Sequence, residues 1–419
     1  MPISHARFRR GALLCAALTL TFPLPAADAP AAAPAQPPRT PVVAAPARAW
    51  EFAEDGVVFD SQFPAARLSE CTRLGPGAYA LTSEPENRPI NPSPWFAFRV
   101  RAERPRPVSI RINTATARLR YVPKVSVDGR RWITLPAEAF VRGEREDEGT
   151  IRIDVGPEPL WVAAQEIVSG EDLDSWGRSL ESLPFVARRE IGRSVGRRAL
   201  HALDIDATAS GAASGCVVII GRQHPPEVTG SLALMRFVET VVAETPLARR
   251  FRARFAVLVV PLVNPDGVAG GHWRHNLNGV DTNRDWDRFD QPETRAVRDA
   301  VRAVRETRRP VLHLDFHSTF SDVFYTQTDD KPMQPAGFTK AWLEGLATRV
   351  PSYAIKRTPN ANPTQATSHH WAHREFGIPA ITYELGDNTD RALLQTVAAA
   401  AAESMIEQLL ALVPETPAR

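Results

Sequence analysis

Hydrophobic and polar residues alternate along the front part of the chain with the two-residue period that is typical of β-strands. In "WFAFRV" (residues 95–100) the aromatic and valine side chains share one face, and "VSIRIN" (residues 108–113) repeats this alternation. Asp128-Gly129 separates two further strand-like runs, which is a short-hairpin signal. Residues 49–165 show no helical period and are therefore predicted to form a small antiparallel β-sandwich domain, with a barrel as the alternative.

From about residue 166 onward, apolar runs of strand length alternate with helical stretches. The strand-like runs are 216–220, 255–263, 311–316 and 379–385, and the helical stretches include about 230–244, 292–308 and 390–412. Continuous apolar strands between helices are typical of a mostly parallel sheet that is covered on both faces. We therefore predict an α/β domain over residues 166–413, with a mixed, mostly parallel sheet flanked by helices, followed by a short tail (414–419).

The beginning of the chain follows neither pattern. Three arginines precede an apolar stretch (residues 11–24) and the small-residue sequence "ADA". These features are typical of a secretory signal peptide over residues 1–29, with an uncleaved signal anchor as the alternative. Residues 30–48 are rich in Ala and Pro and are predicted to be a flexible linker. We therefore expect a secreted or periplasmic protein without a membrane span once the signal is removed.

The composition argues against nucleic acid as a partner and excludes little else. The sequence has 419 residues and a formal net charge of +2, which provides no global positive field for nucleic acid. After the signal peptide only Cys71 and Cys216 remain. A disulfide is one interpretation of this pair, and two buried thiols are the interpretation that we favour. The oligomeric state is left open.

Polar side chains follow the predicted parallel strands, at the edge where ligands bind in open α/β sheets. His224 and Glu227 follow the first strand in "GRQHPPEVTG", where two prolines restrict the loop. With His317, which follows the third strand, they would form a zinc site that leaves one position open. A capped turn is the alternative interpretation of "HPPE". His313 and Asp315 share a strand face with His317 and are predicted to be structural or to support it.

Two other patterns compete with this site. His369 and His373 are spaced i, i+4 and would form a rival metal pair on a helix, although no HExxH glutamate accompanies them. Alternatively, His370 or His373 lines the substrate pocket. The sequence "GRSVG" (192–196) matches a serine-hydrolase elbow with Ser194 as the nucleophile, but the following residues alternate like a strand where that motif requires a helix.

The segments "HPPE", "NPDG", "HWR", "GVDTNRDW", "FHS" and "ITYELGDN" occur in the order found in zinc carboxypeptidases of the M14 family. The chain resembles that family over about residues 50–412. "IGRSVGRRALHALDI" resembles the family's strand hairpin ahead of the metal loop, which argues against the elbow. The β-rich front, with "FDSQF", "YALTSE" and "WFAFRV", resembles the N-terminal domain of the cytosolic-carboxypeptidase, deglutamylase-like branch.

The resemblance implies roles for several residues at matching positions. Those that match the family's zinc ligands, for one Zn²⁺ per chain, are His224, Glu227 and His317. The other matches are Glu384 as general base, Arg274 as oxyanion-stabilising arginine, Asp281 as the carboxylate that orients His224, and Asn283, Arg284 and Ser318 as substrate-binding residues. Of the last group, Asn283 and Arg284 match the pair that holds the terminal carboxylate of the substrate.

Some positions depart from the pancreatic members of the family. "NANPTQATS" (360–368) contains no counterpart of their substrate-end tyrosine, and Pro226 replaces an arginine that contacts the substrate. Residues 364–370, which are expected to line the S1′ pocket, are polar and carry no fixed charge. The terminal residue that is removed is therefore left open.

Together these features predict an exported zinc metallocarboxypeptidase that hydrolyses the C-terminal peptide or isopeptide bond of a peptide with a free terminal carboxylate. A zinc amidase or deacylase that acts on cell-wall peptides or acyl-amino acids is the alternative on the same scaffold. A non-catalytic binding module is a third interpretation. The presence of ligands, base, oxyanion arginine and carboxylate clamp argues against it.

Overall fold

The computed structural model describes residues 40–115, 117–208 and 213–413. The predicted signal peptide (1–29) and tail (414–419) lie outside the described residues, as does most of the predicted linker. The described end of that linker is hydrogen-bonded to the front domain, because the backbone amides of Thr40 and Val43 donate to carbonyl oxygens there at 2.9 and 2.7 Å.

The front part of the chain folds into two sheets. Its strands are β1 (Ala49–Phe52), β2 (Val57–Asp60), β3 (Glu70–Gly75), β4 (Ala78–Thr82), β5 (Ala97–Ala102), β6 (Arg106–Asn113), β7 (Lys124–Ser126), β8 (Ile133–Thr134), β9 (Phe140–Arg142), β10 (Glu148–Val155) and β11 (Leu160–Ala163). Their order is β1-β2-β5-β11-β7-β8 in one sheet and β3-β4-β6-β10-β9 in the other. Neighbouring strands are antiparallel except β4 and β6, which are parallel. β7 and β8 form the hairpin that Asp128-Gly129 predicts.

Alternate residues of these strands form the core between the two sheets. In β5, Phe98 and Val100 are buried, whereas Arg101 is exposed. Phe59 of one sheet packs edge to face on Tyr79 of the other, with ring centroids 4.9 Å apart. The period-two pattern therefore marks the faces that meet, and the predicted sandwich is confirmed, with one parallel pair inside it.

The rest of the chain is built on one mixed sheet. Its strands are β12 (Val186–Arg193), β13 (Ala199–Ile205), β14 (Gly215–Gly221), β15 (Phe255–Val260), β16 (Pro310–Thr319), β17 (Val323–Thr326), β18 (Arg357–Pro359) and β19 (Ala380–Gly386). Their order is β12-β13-β15-β14-β16-β19-β17-β18. The four predicted strands are the central neighbours β15, β14, β16 and β19, which run parallel to one another. The flanking strands β13 and β17 pair antiparallel with this group, β12 is antiparallel to β13, and β18 is parallel to β17. The carboxyl ends of the four strands thus meet at one edge.

Helices cover this sheet on both faces. They are α1 (Gly170–Leu180), α2 (Val228–Val242), α3 (Pro246–Arg252), α4 (Pro265–Ala269), α5 (Pro292–Thr307), α6 (Phe338–Arg349), α7 (Ser368–Phe376) and α8 (Arg391–Leu412). In β14, Val217 and Ile219 pack with α2, α6 and α8, whereas Val218 and Ile220 pack with α5 and α7. A strand buried on both faces has no polar side to alternate, which is why its sequence is continuously apolar. The predicted α/β fold is confirmed.

The turn between β12 and β13 contains Ser194. Its hydroxyl oxygen accepts a hydrogen bond from the backbone amide of Arg198 at 3.0 Å. Because a strand follows the turn instead of a helix, the serine-hydrolase elbow is not formed.

Cys71 and Cys216 are buried free thiols, as predicted. Burial raises the pKa of each thiol to about 12. In the part of the chain that the structure describes, none of the helices combines the length and the apolar character that a bilayer crossing requires.

Candidate metal centre and active site

The loop that follows β14 is held in place by its own side chains. Arg222 has a left-handed backbone conformation (φ 54°). Its buried guanidinium donates to the Pro225 carbonyl at 2.8 Å and to Ser231 Oγ at 3.0 Å. Glu227 immediately precedes α2. The side chains of His224 and Glu227 therefore extend from one short loop that hydrogen bonds hold in place.

Three buried side chains converge at the carboxyl ends of β14 and β16. The Glu227 carboxylate lies 2.8 Å from His224 Nδ1 and 2.7 Å from His317 Nδ1, and the two Nδ1 atoms are 3.2 Å apart. The ligand atoms all lie within 4.8 Å of one another. Zinc bonds of about 2.0–2.1 Å in a tetrahedron place neighbouring ligand atoms about 3.3 Å apart. The spacing therefore fits a single ion.

The outer ring nitrogens of both histidines are bound to carboxylates. His224 Nε2 lies 2.9 Å from Asp281 Oδ1, and His317 Nε2 lies 2.9 Å from Asp315 Oδ2. These partners hold the Nε2 proton of each histidine, so both Nδ1 atoms face Glu227 and can bind either a proton or a metal ion. Three electron-pair donors that face one another are stabilised by a cation, and His₂Glu is a ligand set that zinc uses. We call His224, Glu227 and His317 the metal cluster.

The charges of the metal cluster control its protonation. Burial raises the pKa of Glu227, but the two histidines outweigh burial and hold this pKa well below its usual value. Burial lowers the pKa of His317, whereas Asp315 and Glu227 hold it well above its usual value. A proton and a metal ion therefore compete for the space between His317 and Glu227.

Asp281 links the metal cluster to Arg274. Its second carboxylate oxygen accepts a hydrogen bond from Arg274 Nε at 2.7 Å. Burial raises the pKa of Asp281, but Arg274 and His224 outweigh burial and hold it well below its usual value. The two terminal amino groups of Arg274 have no hydrogen-bond partner among the described residues, which leaves them available to a substrate.

Glu384 lies on β19 in register with His317 on β16. Side chains in register on neighbouring strands point to the same side of a sheet, so Glu384 faces the metal cluster. Its Oε2 atom is buried and has no hydrogen-bond partner among the described residues. Burial and the nearby Glu227 carboxylate raise the pKa of Glu384 to about 8.

Asn283 and Arg284 lie in a short 3₁₀ helix (Thr282–Arg284) directly after Asp281. Asn283 Nδ2 is 3.3 Å from His317 Nε2, and its Oδ1 accepts from a backbone amide of α7 at 3.0 Å. Arg284 is half-buried and donates to the Asn283 carbonyl at 2.8 Å. No carboxylate pairs with Arg284 among the described residues, and burial lowers its pKa.

Ser318 is buried behind the metal cluster. Its hydroxyl oxygen accepts from the Gly230 amide at 2.9 Å and from Thr229 Oγ1 at 2.7 Å, and its own amide donates to Glu227 Oε2 at 3.3 Å. These contacts fasten the start of α2 to the end of β16. The substrate contact of Ser318 stays a prediction, and the observed contacts give this residue a positioning role.

The rival histidine pair does not come together. His369 Nδ1 lies 2.9 Å from Thr382 Oγ1, while His373 Nδ1 is bound to the Ile378 carbonyl at 3.0 Å. Among the residues that the structure describes, the metal cluster is the only group of three or more His, Cys, Asp or Glu side chains whose ligand atoms lie close enough together for a metal ion. The buried Nε2 of His369 has no partner there.

A sequence profile of the zinc carboxypeptidase family, peptidase M14, matches residues 174–408, which is more than half of the chain. The chain belongs to this family. Every residue that the sequence predicts for the metal site and for catalysis lies inside the matched range. The family is zinc-dependent, in agreement with the ligand set of the metal cluster.

The named relatives of this chain are longer proteins. Cytosolic carboxypeptidase 2 of Danio rerio is 27% identical over 314 residues, which cover 67% of this chain and 43% of that protein. Cytosolic carboxypeptidase 6 of Caenorhabditis elegans is 23% identical over 288 residues, or 63% of either chain. The chain thus spans less than two thirds of these relatives.

The solved structures show the fold. A metallo-carboxypeptidase from Burkholderia cenocepacia superposes with a TM-score of 0.73 and 21% sequence identity, over 85% of this chain and 99% of that one. The similarity extends beyond the family profile and therefore includes much of the front domain.

Asp315 and Gln223 support the metal ligands, but the sequence indicates only the first of them. Asp315 was marked by its place two residues before His317 on one strand face, and the structure shows that it orients this histidine. Gln223 carried no signal except that it precedes His224. Its Nε2 donates to Asp315 at 2.7 Å, and its Oε1 accepts from Trp286 Nε1 at 2.9 Å.

Proposed function

We propose that this chain is an exopeptidase that hydrolyses the C-terminal peptide or isopeptide bond of peptides. The observation that carries this proposal is Arg284, a half-buried cation beside the metal cluster without a carboxylate partner among the described residues. A buried charge without a counter-ion is costly, and a guanidinium pairs with a carboxylate in fork geometry. A clamp on the terminal carboxylate directs hydrolysis to the end of a chain.

Glu384 is the residue that transfers the proton from water to the leaving amine. A bound zinc ion supplies Lewis acidity, which makes a water molecule acidic enough to lose a proton near neutral pH. Glu384 presents an oxygen without a partner, and burial beside Glu227 raises its pKa to about 8 in the metal-free protein. A bound cation favours the carboxylate form of Glu384, which is the form that accepts this proton. Glu384 then delivers the proton to the nitrogen of the leaving amine, and its carboxylate is restored.

Arg274 is placed to stabilise the oxyanion of the tetrahedral intermediate. Its Nε is bound to Asp281, so its two terminal amino groups are oriented and available. Removal of one such donor typically costs ~10²–10³ in rate. The Asp281 carboxylate thus supports both metal binding and this donor.

Paired peptide substrates test the exopeptidase proposal. Four synthetic peptides that differ only in a terminal Glu, Lys, Phe or D-Ala are each compared with a C-terminally amidated twin, and products are identified by mass spectrometry. We expect loss of single terminal residues from the free acids and at least about tenfold slower hydrolysis of the amides, because the charge-assisted contact to Arg284 is lost. Glu384→Gln protein serves as the inactive control.

Three outcomes would contradict the proposal. They are equal rates on acids and amides, release of internal fragments, and cleavage of an acyl amide while every peptide stays intact. The last outcome would favour the amidase or deacylase interpretation.

We also propose that the protein is exported, as the signal-like residues 1–29 indicate. The named relatives are cytosolic carboxypeptidases, so this chain would carry the same chemistry to another compartment. N-terminal sequencing of protein from the extracytoplasmic fraction should give a chain that begins at Pro30. Recovery of an intact Met1 terminus in the cytosolic fraction alone would refute export.

A further inference from the structure

Two buried charged side chains reach from the front domain to the elements that carry the active site. The first is Glu86, in the stretch after β4, which is fully buried. Its carboxylate accepts hydrogen bonds from three successive backbone amides, those of Trp273 at 2.7 Å, Arg274 at 3.0 Å and His275 at 2.6 Å. Glu86 therefore fixes the backbone from which the Arg274 side chain extends.

The second is Arg120, in the stretch between β6 and β7, which is also buried. Its guanidinium donates to both carboxylate oxygens of Asp387, one of them at 3.0 Å, and to the Ser318 carbonyl at 2.7 Å. Asp387 directly follows β19, the strand of Glu384, and Ser318 directly follows His317. One guanidinium thus joins the ends of the two strands that carry a metal ligand and the base.

A neighbouring amide strengthens the first of these contacts. Asn87 Nδ2 donates to the Gly279 carbonyl at 3.2 Å, and Asn87 Oδ1 lies 2.6 Å from His275 Nδ1. The indole of Trp273 is packed into the front-domain core and donates to the Trp95 carbonyl at 2.9 Å. The segment from Trp273 to Gly279 is therefore held along its length by the front domain.

Buried charges are stable only when they are paired and hydrogen-bonded. Arg120 also donates to Ser93 Oγ within the front domain at 2.8 Å. The backbone amides that bind Glu86, and the Asp387 carboxylate and Ser318 carbonyl that bind Arg120, are reached only when the front domain is docked on the catalytic sheet. Hydrogen bonds between a charged group and backbone atoms are short and directional, so they fix the position of the backbone that they bind. Catalytic groups tolerate little displacement, since an error of about 1 Å can cost ~10²-fold in rate.

We propose that the front domain is a positioning element of the catalytic site, in which Glu86 sets the position of Arg274 and Arg120 sets the strand ends that carry His317 and Glu384. This inference rests on the proposed exopeptidase function for its kinetic readout. Neither side chain touches the reacting atoms. The family profile begins at residue 174, so it includes neither of them.

The test uses the full chain with Glu86→Gln or Arg120→Lys. Glutamine keeps the shape of Glu86 but directs an amino group at a backbone N–H. Lysine keeps the charge of Arg120 but cannot reach Asp387 and the Ser318 carbonyl in a planar fork. The matched control is Asp55→Asn, because Asp55 is a buried front-domain carboxylate with several partners, all of which lie in the front domain.

The two variants should differ in kind. Glu86→Gln is expected to lower kcat by about 10²-fold, with little change in KM or in zinc affinity. Arg120→Lys is expected to lower kcat and also to weaken zinc binding by about tenfold, because it loosens the strand end next to His317. Asp55→Asn should lower the melting temperature while folded protein keeps the kcat of the parent.

Backbone hydrogen exchange separates this inference from the function on which it rests. In Glu86→Gln, amides of residues 273–275 should exchange on the order of tenfold faster, whereas Asp55→Asn should leave them unchanged. This readout needs no substrate, so it stands even if the parent protein hydrolyses no peptide. The inference is overturned if folded Glu86→Gln keeps parental kcat and exchange rates, or if Asp55→Asn lowers kcat equally.

Discussion

Arg274 and Asp281 form a buried ion pair beside the metal cluster, with Arg274 Nε 2.7 Å from Asp281 Oδ2. The other oxygen of the same carboxylate accepts a hydrogen bond from Nε2 of His224 at 2.9 Å. One side chain therefore orients a metal ligand and the proposed oxyanion donor together. Because removal of one partner leaves the other charge buried and unpaired, breaking this contact should affect both.

Asp281→Asn should lower zinc affinity and kcat together. An amide holds the imidazole of His224 less firmly, so zinc affinity should fall by ~10–100-fold, and kcat should stay low at saturating zinc because Arg274 has lost its counter-charge. Competition with a chelator and steady-state kinetics measure the two effects. Asp315→Asn is the control, since Asp315 orients His317 whereas Arg274 Nε is bound to Asp281, so this change should weaken zinc binding without the second defect. Full recovery of kcat in Asp281→Asn at saturating zinc would refute the link to Arg274.

Glu384→Gln should remove catalysis and keep the metal. The loss of the base is expected to lower kcat by ~10²–10⁴-fold. Metal analysis should still find about one zinc per chain, because Glu384 is outside the metal cluster. His224→Ala should lose the zinc. A Glu384→Gln enzyme with parental kcat would show that another group accepts the proton.

Arg284→Lys should raise KM for peptides with a free terminal carboxylate by about tenfold or more, since lysine cannot form the planar two-bond contact. The amidated twin peptides provide the internal comparison, because they lack the carboxylate and should be insensitive to this change. Kinetics on both peptide sets measure the difference. Equal effects on acids and amides would indicate that Arg284 supports the fold and does not bind the substrate.

Zinc binding should become tighter as pH rises to about 8. In the metal-free protein the pKa of Glu384 is raised to about 8 and the pKa of His317 lies well above its usual value, so both groups hold protons at neutral pH. A cation favours the deprotonated forms, hence zinc uptake releases protons and is opposed by acid. Calorimetry in buffers of different ionisation enthalpy measures this release. Glu384→Gln should release fewer protons, and a pH-independent affinity would contradict the assignment.

The local pattern of the chain was sufficient for much of the fold. Continuous apolar runs predicted β14, β15, β16 and β19, because each is buried on both faces, and their observed ends differ by at most three residues. The predicted helices match α2, α5 and α8 to within two residues. The parallel pairing of β4 with β6 was not predicted, because alternation marks a buried face and does not encode strand direction.

The candidate site divides along the same line. His224 and Glu227 share one loop, and His317 is at a strand end. They were located because ligands bind at the carboxyl ends of parallel strands and because their motifs resemble those of the family. Ser318 was assigned to the substrate from its motif. Whether its hydroxyl faced the cleft or α2 depended on packing, and the structure places it against α2.

The sequence by itself determined which residues are apolar on one face or both, where the strands of the catalytic sheet end, and which side chains are able to bind a metal. These features depend on neighbours a few positions away. Only the tertiary structure decided that Glu86 binds the backbone of Arg274 and that Arg120 binds Asp387, contacts between residues that are 188 and 267 positions apart. Buried charges at such separations acquire partners only when the two regions dock, and no local pattern records that event.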